Sequence, residues 1–284
     1  MSKIGIIAEG GASRTAYSAG VMDALIEQGV TADIFYGVSA GAAFGVSYCS
    51  GQKGRNRTLV TDYMPTPQYS GVRHLLRPDN RSFYNLDYVY GEVPDKLLPF
   101  DFEAFERFKG KCIAVLTDLE TGEAVYPDVP RNDRKFMHLR ASCALPLLFP
   151  PIEIDGRKYM DGGVADSIPY KHALESGCDK LIIILTRERG YRKQPEPTQE
   201  LICRAYRQYT GFCEKIRTRA DRYNSDSAEI EKLWKQGRVF VFYPKKEVLV
   251  GRTENDARKL LRLYDYGYRH GMWAKDSLEK YLSM

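Results

Sequence analysis

One stretch constrains this chain more than any other: Asp33-Ile34-Phe35-Tyr36-Gly37-Val38-Ser39-Ala40-Gly41-Ala42-Ala43-Phe44-Gly45. It reads as a short buried strand, one abrupt turn and the start of a helix built from very small residues. The turn carries Gly37-Val38-Ser39-Ala40-Gly41, a G-x-S-x-G pattern. In such an elbow the serine occupies a strained strand-to-helix corner and lifts its hydroxyl above the sheet. The flanking Gly37 and Gly41 keep Cβ atoms from blocking that corner. The pattern alone is weak, and its setting decides what it means.

That setting is a strand–loop–helix–strand unit. Lys3 to Ala8 reads as a buried first strand, and Glu9-Gly10-Gly11-Ala12-Ser13-Arg14 as a small-residue loop. Thr15 to Gln28 has helical spacing and is stopped by Gly29; Ile34 to Val38 is the second strand. Such a unit predicts a parallel sheet with both turns at the carboxyl ends of their strands, where open α/β sheets place ligands. Parallel order puts the glycine loop beside the elbow.

Residues 51–111 read as an insertion over the sheet. They lack strand patterning, are interrupted by Pro65, Pro67, Pro78, Pro94 and Pro99, and carry ten aromatics. Short helices are expected, forming either a satellite hydrophobic cluster or a mobile cap over an acyl-chain pocket. Further strands are expected at Lys111–Leu116, Glu123–Tyr126, Lys180–Thr186 and Val239–Tyr243, with a helix over Arg134–Cys143. Asp155-Gly156 within Ile152–Met160 signals a hairpin ending at Asp161-Gly162-Gly163. A helix from Ser167-Ile168-Pro169 to Ser176 is stopped by Gly177. The rest reads as helices over Thr198–Arg222 and Ser225–Gln236 and a helical tail over Thr253–Tyr281, where Thr253-x-x-Asp256 resembles a capping box. One domain over residues 1–284 is expected, with its core at about 1–190, the insertion at 51–111 and a helical C-terminal extension at about 198–284.

A chain of 284 residues, 43% apolar and 28% charged, can bury a large core. Its net charge of +5 is too small to imply nucleic-acid binding, and no such motif is present. The excess is local: Arg187–Arg222 holds ten Lys/Arg against five Asp/Glu. This stretch is either a solvated helix face or a patch facing anionic lipid or an acidic partner. Cys49, Cys112, Cys143, Cys178, Cys203 and Cys213 have no metal-ligand or C-x-x-C spacing, which suits reduced, buried thiols of a cytoplasmic protein. No signal peptide, no membrane span, no metal and no cofactor are expected.

An acyl-transfer site needs a nucleophile, a base and donors for the oxyanion. Ser39 is the candidate nucleophile. His74, His138, His172 and His270 fall in contexts that favour packing or surface roles. Asp161, at a strand end before two glycines, could instead take the serine proton directly, since burial moves a carboxyl toward a useful range; the competing reading is a plain Asp-Gly turn. Backbone N–H groups of the Gly10–Arg14 loop would form an anion site. A dinucleotide reading of that loop fails on spacing, because Ala12 and Thr15 stand where G-x-G-x-x-G needs glycine.

These pieces in this order resemble the bacterial patatin-like phospholipases over roughly residues 3–190. The matching segments are the loop Gly10–Arg14, the elbow Gly37–Gly41, Asp161-Gly162-Gly163 and the small-residue run Ala141-Ser142-Cys143-Ala144-Leu145-Pro146. The resemblance implies a three-layer α/β/α fold with a mainly parallel central sheet. It also implies a Ser39–Asp161 dyad without histidine, and an oxyanion hole from Gly10, Gly11 and Ala12 in a loop held by Arg14. The expected activity is hydrolysis of lipid carboxylic esters, with peripheral membrane contact. The chain departs from the family at Ala12 and Thr15, where glycine is common; Ala12 can offer its N–H if φ is negative or the strain is tolerated. A serine esterase with a histidine base, and a catalytically weak lipid- or partner-binding protein, are the competing readings.

Overall fold

Short apolar runs become the inner strands of one sheet in the computed structural model, which describes residues 2–77 and 81–284. Pro78 lies outside the described residues. The first unit comprises β1 (Ile4–Ala8), α1 (Ala16–Glu27), β2 (Ile34–Val38) and α2 (Ala40–Cys49). The insertion follows as short helices α3 (Arg55–Thr58), α4 (Val72–Leu75) and α5 (Phe102–Glu106). Wide π-type turns at Leu59–Tyr63 and Tyr88–Leu97 separate them, the second containing Pro94. A proline donates no backbone N–H and interrupts regular helix bonding there.

Next come β3 (Lys111–Asp118), β4 (Ala124–Val125), α6 (Met137–Ser142), and the hairpin β5 (Ile152–Ile154) and β6 (Arg157–Asp161). Asp155 and Gly156 have φ of 50° and 76°, the paired positive values of a type I′ turn. After α7 (Tyr170–Glu175) and β7 (Lys180–Ile184) the chain forms α8 (Gln199–Ala205), α9 (Thr210–Lys235), β8 (Phe240–Phe242), α10 (Ala257–Trp273) and α11 (Lys275–Ser283).

Strands β3, β2, β1, β7 and β8 lie side by side in parallel, while β4 and β6 pair antiparallel with β3, and β5 antiparallel with β6. Side chains alternate between the two faces. Ile6, Phe35, Ala114, Ile182 and Phe242 join the core under α1, α2, α10 and the insertion. Ile7, Tyr36, Ile113, Ile183 and Val241 join a second core under α7 and α9. The result is a three-layer α/β/α arrangement, as the resemblance implied.

The C-terminal elements are woven into these layers. β8 extends the sheet beside β7, and α10 lies along α1. The two helices approach so closely that a Cβ on Gly267 would lie 2.1 Å from the Tyr17 carbonyl oxygen. Tyr264 donates its hydroxyl proton to buried Asp23 at 2.5 Å.

Three local expectations are corrected. The break in the basic helical region falls between α8 and α9, at residues 206–209, and Ser225 is mid-helix. Asn224, inside α9, uses its side chain on the backbone of Lys193 at 2.8 and 3.0 Å, so its polarity serves a tertiary contact. The N-cap of α10 is Asp256, which accepts from the amides of Arg258 (2.8 Å) and Lys259 (3.3 Å); Thr253 is not the cap. Helix α6 starts at Met137, three residues later than Arg134, after Phe136 in a left-handed conformation.

Candidate active site

Successive backbone groups of a strand point to opposite edges, and β3 uses this to bring two chain ends together. Lys111 and Leu119 donate to the carbonyls of Asp33 and Lys158, each at 2.9 Å. Ala114 and Asp118 donate to Pro127 (3.1 Å) and Glu123 (2.9 Å). The odd-numbered residues thus serve an edge shared by β2 and β6, and the even-numbered ones serve β4. Strand β2 stops at Val38, opposite Val115. Strand β6 arrives from the other direction and stops at Asp161, opposite Leu116. Asp161 therefore fills the place beside β3 that β2 leaves when the chain turns away at Ser39.

Ser39 has φ 53° and ψ −127°, a left-handed conformation costly for a residue with a Cβ. Its amide donates to Ser142 Oγ at 2.9 Å, and Ser142 donates in turn to the Val115 carbonyl at 2.8 Å. Gly37 and Gly41 flank the corner; a Cβ on Gly41 would lie 2.2 Å from the Ala8 carbonyl oxygen.

Asp161 is 1% exposed. Its Oδ1 accepts from the Gly163 amide at 2.8 Å, while Oδ2 has no hydrogen-bond partner among the described residues. Burial pushes its pKa up; the Ser39 hydroxyl, then the Arg219 guanidinium, act against that rise. Ser39 and Asp161 line one cavity. Gly162 presses β6 onto β3, and the Gly163 carbonyl accepts from Arg219 Nε at 2.6 Å.

The loop after β1 lies over the elbow. A Cβ on Gly10 would be 2.8 Å from the Ser39 Cβ. Among the described residues the amides of Gly10, Gly11 and Ala12 meet no acceptor. Ala12 has φ 49°, so it carries the strain that a glycine would avoid. Thr186 Oγ1 holds the loop at the Gly10 carbonyl (2.9 Å), and the Ser13 amide donates to the Arg252 carbonyl (3.1 Å). Arg14 donates its backbone N–H to Gly11, and its buried side chain faces the cavity with Nε unpartnered among the described residues.

Ser39 stands at the junction of two cavities. One, about 860 Å³ with its mouth, is apolar and walled by Phe44, Leu59, Met64, Tyr69, Val93 and Phe149 among others, so the insertion supplies much of it. Cys143 also lines it, its thiol pushed up to about 12 by burial and thus neutral. The other, about 510 Å³ with its mouth, contains Asp161 and several basic side chains.

No histidine lines either cavity. His74 bonds the Pro67 carbonyl (2.9 Å), and His270 bonds Tyr17 Oη (2.8 Å). His172 stacks on Tyr126, and His138 lies 3.9 Å from Asp133. All six cysteines are free thiols. Among the described residues no His, Cys, Asp or Glu group could hold a metal ion, and no helix is long and apolar enough to cross a membrane.

Residues not singled out from sequence include Arg187, Lys193, Arg219 and Arg252, which face the second cavity. The local basic excess was the signal for Arg187, Lys193 and Arg219, but not for Arg252, which lies outside it; which cations turn inward depends on tertiary packing, for Arg219 on the seating of α9. Ser142 had a weaker signal, as part of the small-residue run before the hairpin.

The family model for patatin-like phospholipases matches residues 6–174, more than half of the chain, and the chain belongs to that family. A second model, a domain of unknown function (DUF6363), matches residues 209–283. Among curated relatives, the uncharacterized protein YjjU of Escherichia coli K12 is 27% identical over 188 residues, 65% of this chain and 52% of that protein. Lysophospholipase NTE1 of Kluyveromyces lactis is 25% identical over 177 residues, 62% of this chain and 12% of that protein. The chain thus spans about half the length of the first and about an eighth of the second. The solved structure of VipD from Legionella pneumophila aligns over 97% of this chain and 67% of its own, with 13% identity and a TM-score of 0.45.

Proposed function

We propose that the chain hydrolyses carboxylic ester bonds of lipids, with Ser39 as nucleophile and Asp161 as its base. The observation that carries this reading is the meeting of β2 and β6 on one edge of β3. It sets a buried carboxylate with a free Oδ2 beside a strained serine. The apolar cavity at Ser39 suits an acyl chain, and the NTE1 relatives bear the name lysophospholipase.

Ser39 Oγ attacks the ester carbonyl while Asp161 Oδ2 takes its proton. The oxyanion that forms lies under the amides of Gly10, Gly11 and Ala12, with Arg14 holding their loop. Collapse of this intermediate expels the alcohol, which takes the proton back from Asp161 and leaves the acyl group on Ser39. Asp161 then removes a proton from water, which attacks the acyl-enzyme; the bond to Ser39 Oγ breaks, Oγ takes the proton back from Asp161, and the fatty acid leaves. A raised pKa strengthens Asp161 as a base.

Peripheral membrane contact would bring the lipid to the site; Val72, the first residue of α4, and Leu76, just past its end, are 73% and 86% exposed. The strain at Ala12 favours one second reading, a binding protein that retains the fold with little catalysis. Hydrolysis of p-nitrophenyl esters of increasing chain length, with fluorophosphonate labelling, tests both. Labelled Ser39 and a preference for long chains support the lipid hydrolase; an unlabelled Ser39 in folded protein supports the binding protein.

A further inference from the structure

The cavity on the other side of Ser39 from the apolar one is walled by five cations: Arg14, Arg187, Lys193, Arg219 and Arg252. Their sources are separate: the first loop, the segment after β7, α9 and the segment before α10. Against them the wall offers Glu9 and Asp161, and Glu196 lies behind. Glu196 holds Arg219 at 3.0 Å and Arg252 at 3.1 Å. Glu9 is engaged by the Thr186 amide at 2.6 Å.

Arg14, Arg187 and Lys193 have no ion pair among the described residues. Arg14 is 7% exposed, with its Nε unpartnered and buried. The Arg187 guanidinium lies over the Tyr191 ring at 4.2 Å and the Lys193 ammonium over the Tyr223 ring at 4.5 Å, which positions their heads without supplying a counter-charge. The cations also crowd one another. Burial, then Arg187 and Arg252, lowers Arg14 to about 10, and burial, then Arg219, lowers Lys193 to about 8. Five like charges around one cavity, Arg14 among them buried, repel one another until an anion enters.

Resting on Ser39 as the acylated residue, we propose that this chamber is a headgroup subsite for a lipid phosphate monoester, with Arg187 and Lys193 as its selectivity determinants. The acyl chain would extend into the apolar cavity while the phosphate sits among the cations. A zwitterionic choline headgroup fits poorly, because its quaternary ammonium would lie among positive charges, and the aromatic faces it could use are covered by Arg187 and Lys193.

The test is equilibrium binding to Ser39→Ala protein, which reads the subsite without turnover. The ligands are hexanoyl-lysophosphatidate, hexanoyl-lysophosphatidylcholine and inorganic phosphate. The expected result is at least about tenfold tighter binding of the lysophosphatidate than of the other two. Adding Arg187→Gln and Lys193→Gln should remove most of that preference while circular dichroism shows a folded chain. Equal affinity for the two lipids, or a preference that survives both substitutions, would overturn the proposal. So would inorganic phosphate binding as tightly as the lysophosphatidate, which would make the chamber a free-anion site. Failure of the hydrolase reading registers separately, as wild-type protein that leaves p-nitrophenyl esters intact.

Discussion

Asp161 stands beside β3 where Ser39 would stand had β2 continued straight, since Val38 pairs with Val115 and Asp161 with the next residue, Leu116. The proximity of these two side chains is thus a property of strand register. It follows that changes to the register, and not only to the side chains, will act on the site.

Ser142 is the pin of that register, accepting from the Ser39 amide and donating to the Val115 carbonyl. Ser142→Ala leaves two buried backbone groups without partners. The expected cost is about 1–3 kcal/mol by urea denaturation, with kcat falling more than KM rises.

Strain at Ser39 separates two variants that both lack the proposed nucleophile. Ser39→Ala keeps a Cβ at φ 53° and ψ −127°, while Ser39→Gly removes it. The glycine variant should be more stable than the alanine variant by about 1 kcal/mol in urea or thermal denaturation. The opposite order would mean that the corner relaxes when its hydroxyl is lost.

The raised pKa of Asp161 has two consequences of known sign. In the proposed dyad its ionised form is the base, so kcat/KM should rise with pH along an acidic limb centred above the usual carboxylate range. The native state also binds this proton more tightly than the unfolded state. Its contribution to stability is full below the unfolded pKa and is lost as pH rises to the folded one. Asp161→Asn should therefore be more stable than wild type at neutral pH, with the gap closing in acid.

Arg219 offsets part of that rise and holds the Gly163 carbonyl at 2.6 Å. Arg219→Gln should move the acidic limb of kcat/KM to higher pH and lower kcat by about tenfold. A lower kcat with an unmoved limb would reduce Arg219 to a structural role.

The α1–α10 contact predicts that the C-terminal region is needed for folding. Gly267→Ala would put a Cβ 2.1 Å from the Tyr17 carbonyl oxygen. Overpacking of this kind costs about 1–3 kcal/mol, measured as a lower urea midpoint.

Much of this was legible in the sequence because it is local. Strand β2, helix α2, the Asp155-Gly156 hairpin and the Gly177 stop are written in periodicity and turn chemistry. Ser39 and Asp161 were legible too, since a glycine-flanked corner and a strand end before two glycines each have a local signature. What escaped was tertiary. The edge-sharing of β2 and β6 depends on β3, the Asn224–Lys193 contact that lets α9 run through residue 224 spans 31 residues, and the inward turn of Arg219 depends on how α9 is seated.

The most direct measurement of the central claim is kcat/KM of Asp161→Asn on a long-chain p-nitrophenyl ester, beside wild type and with folding verified. The dyad predicts a loss of about a thousandfold or more, comparable to that of Ser39→Ala. Activity within about tenfold of wild type would contradict it.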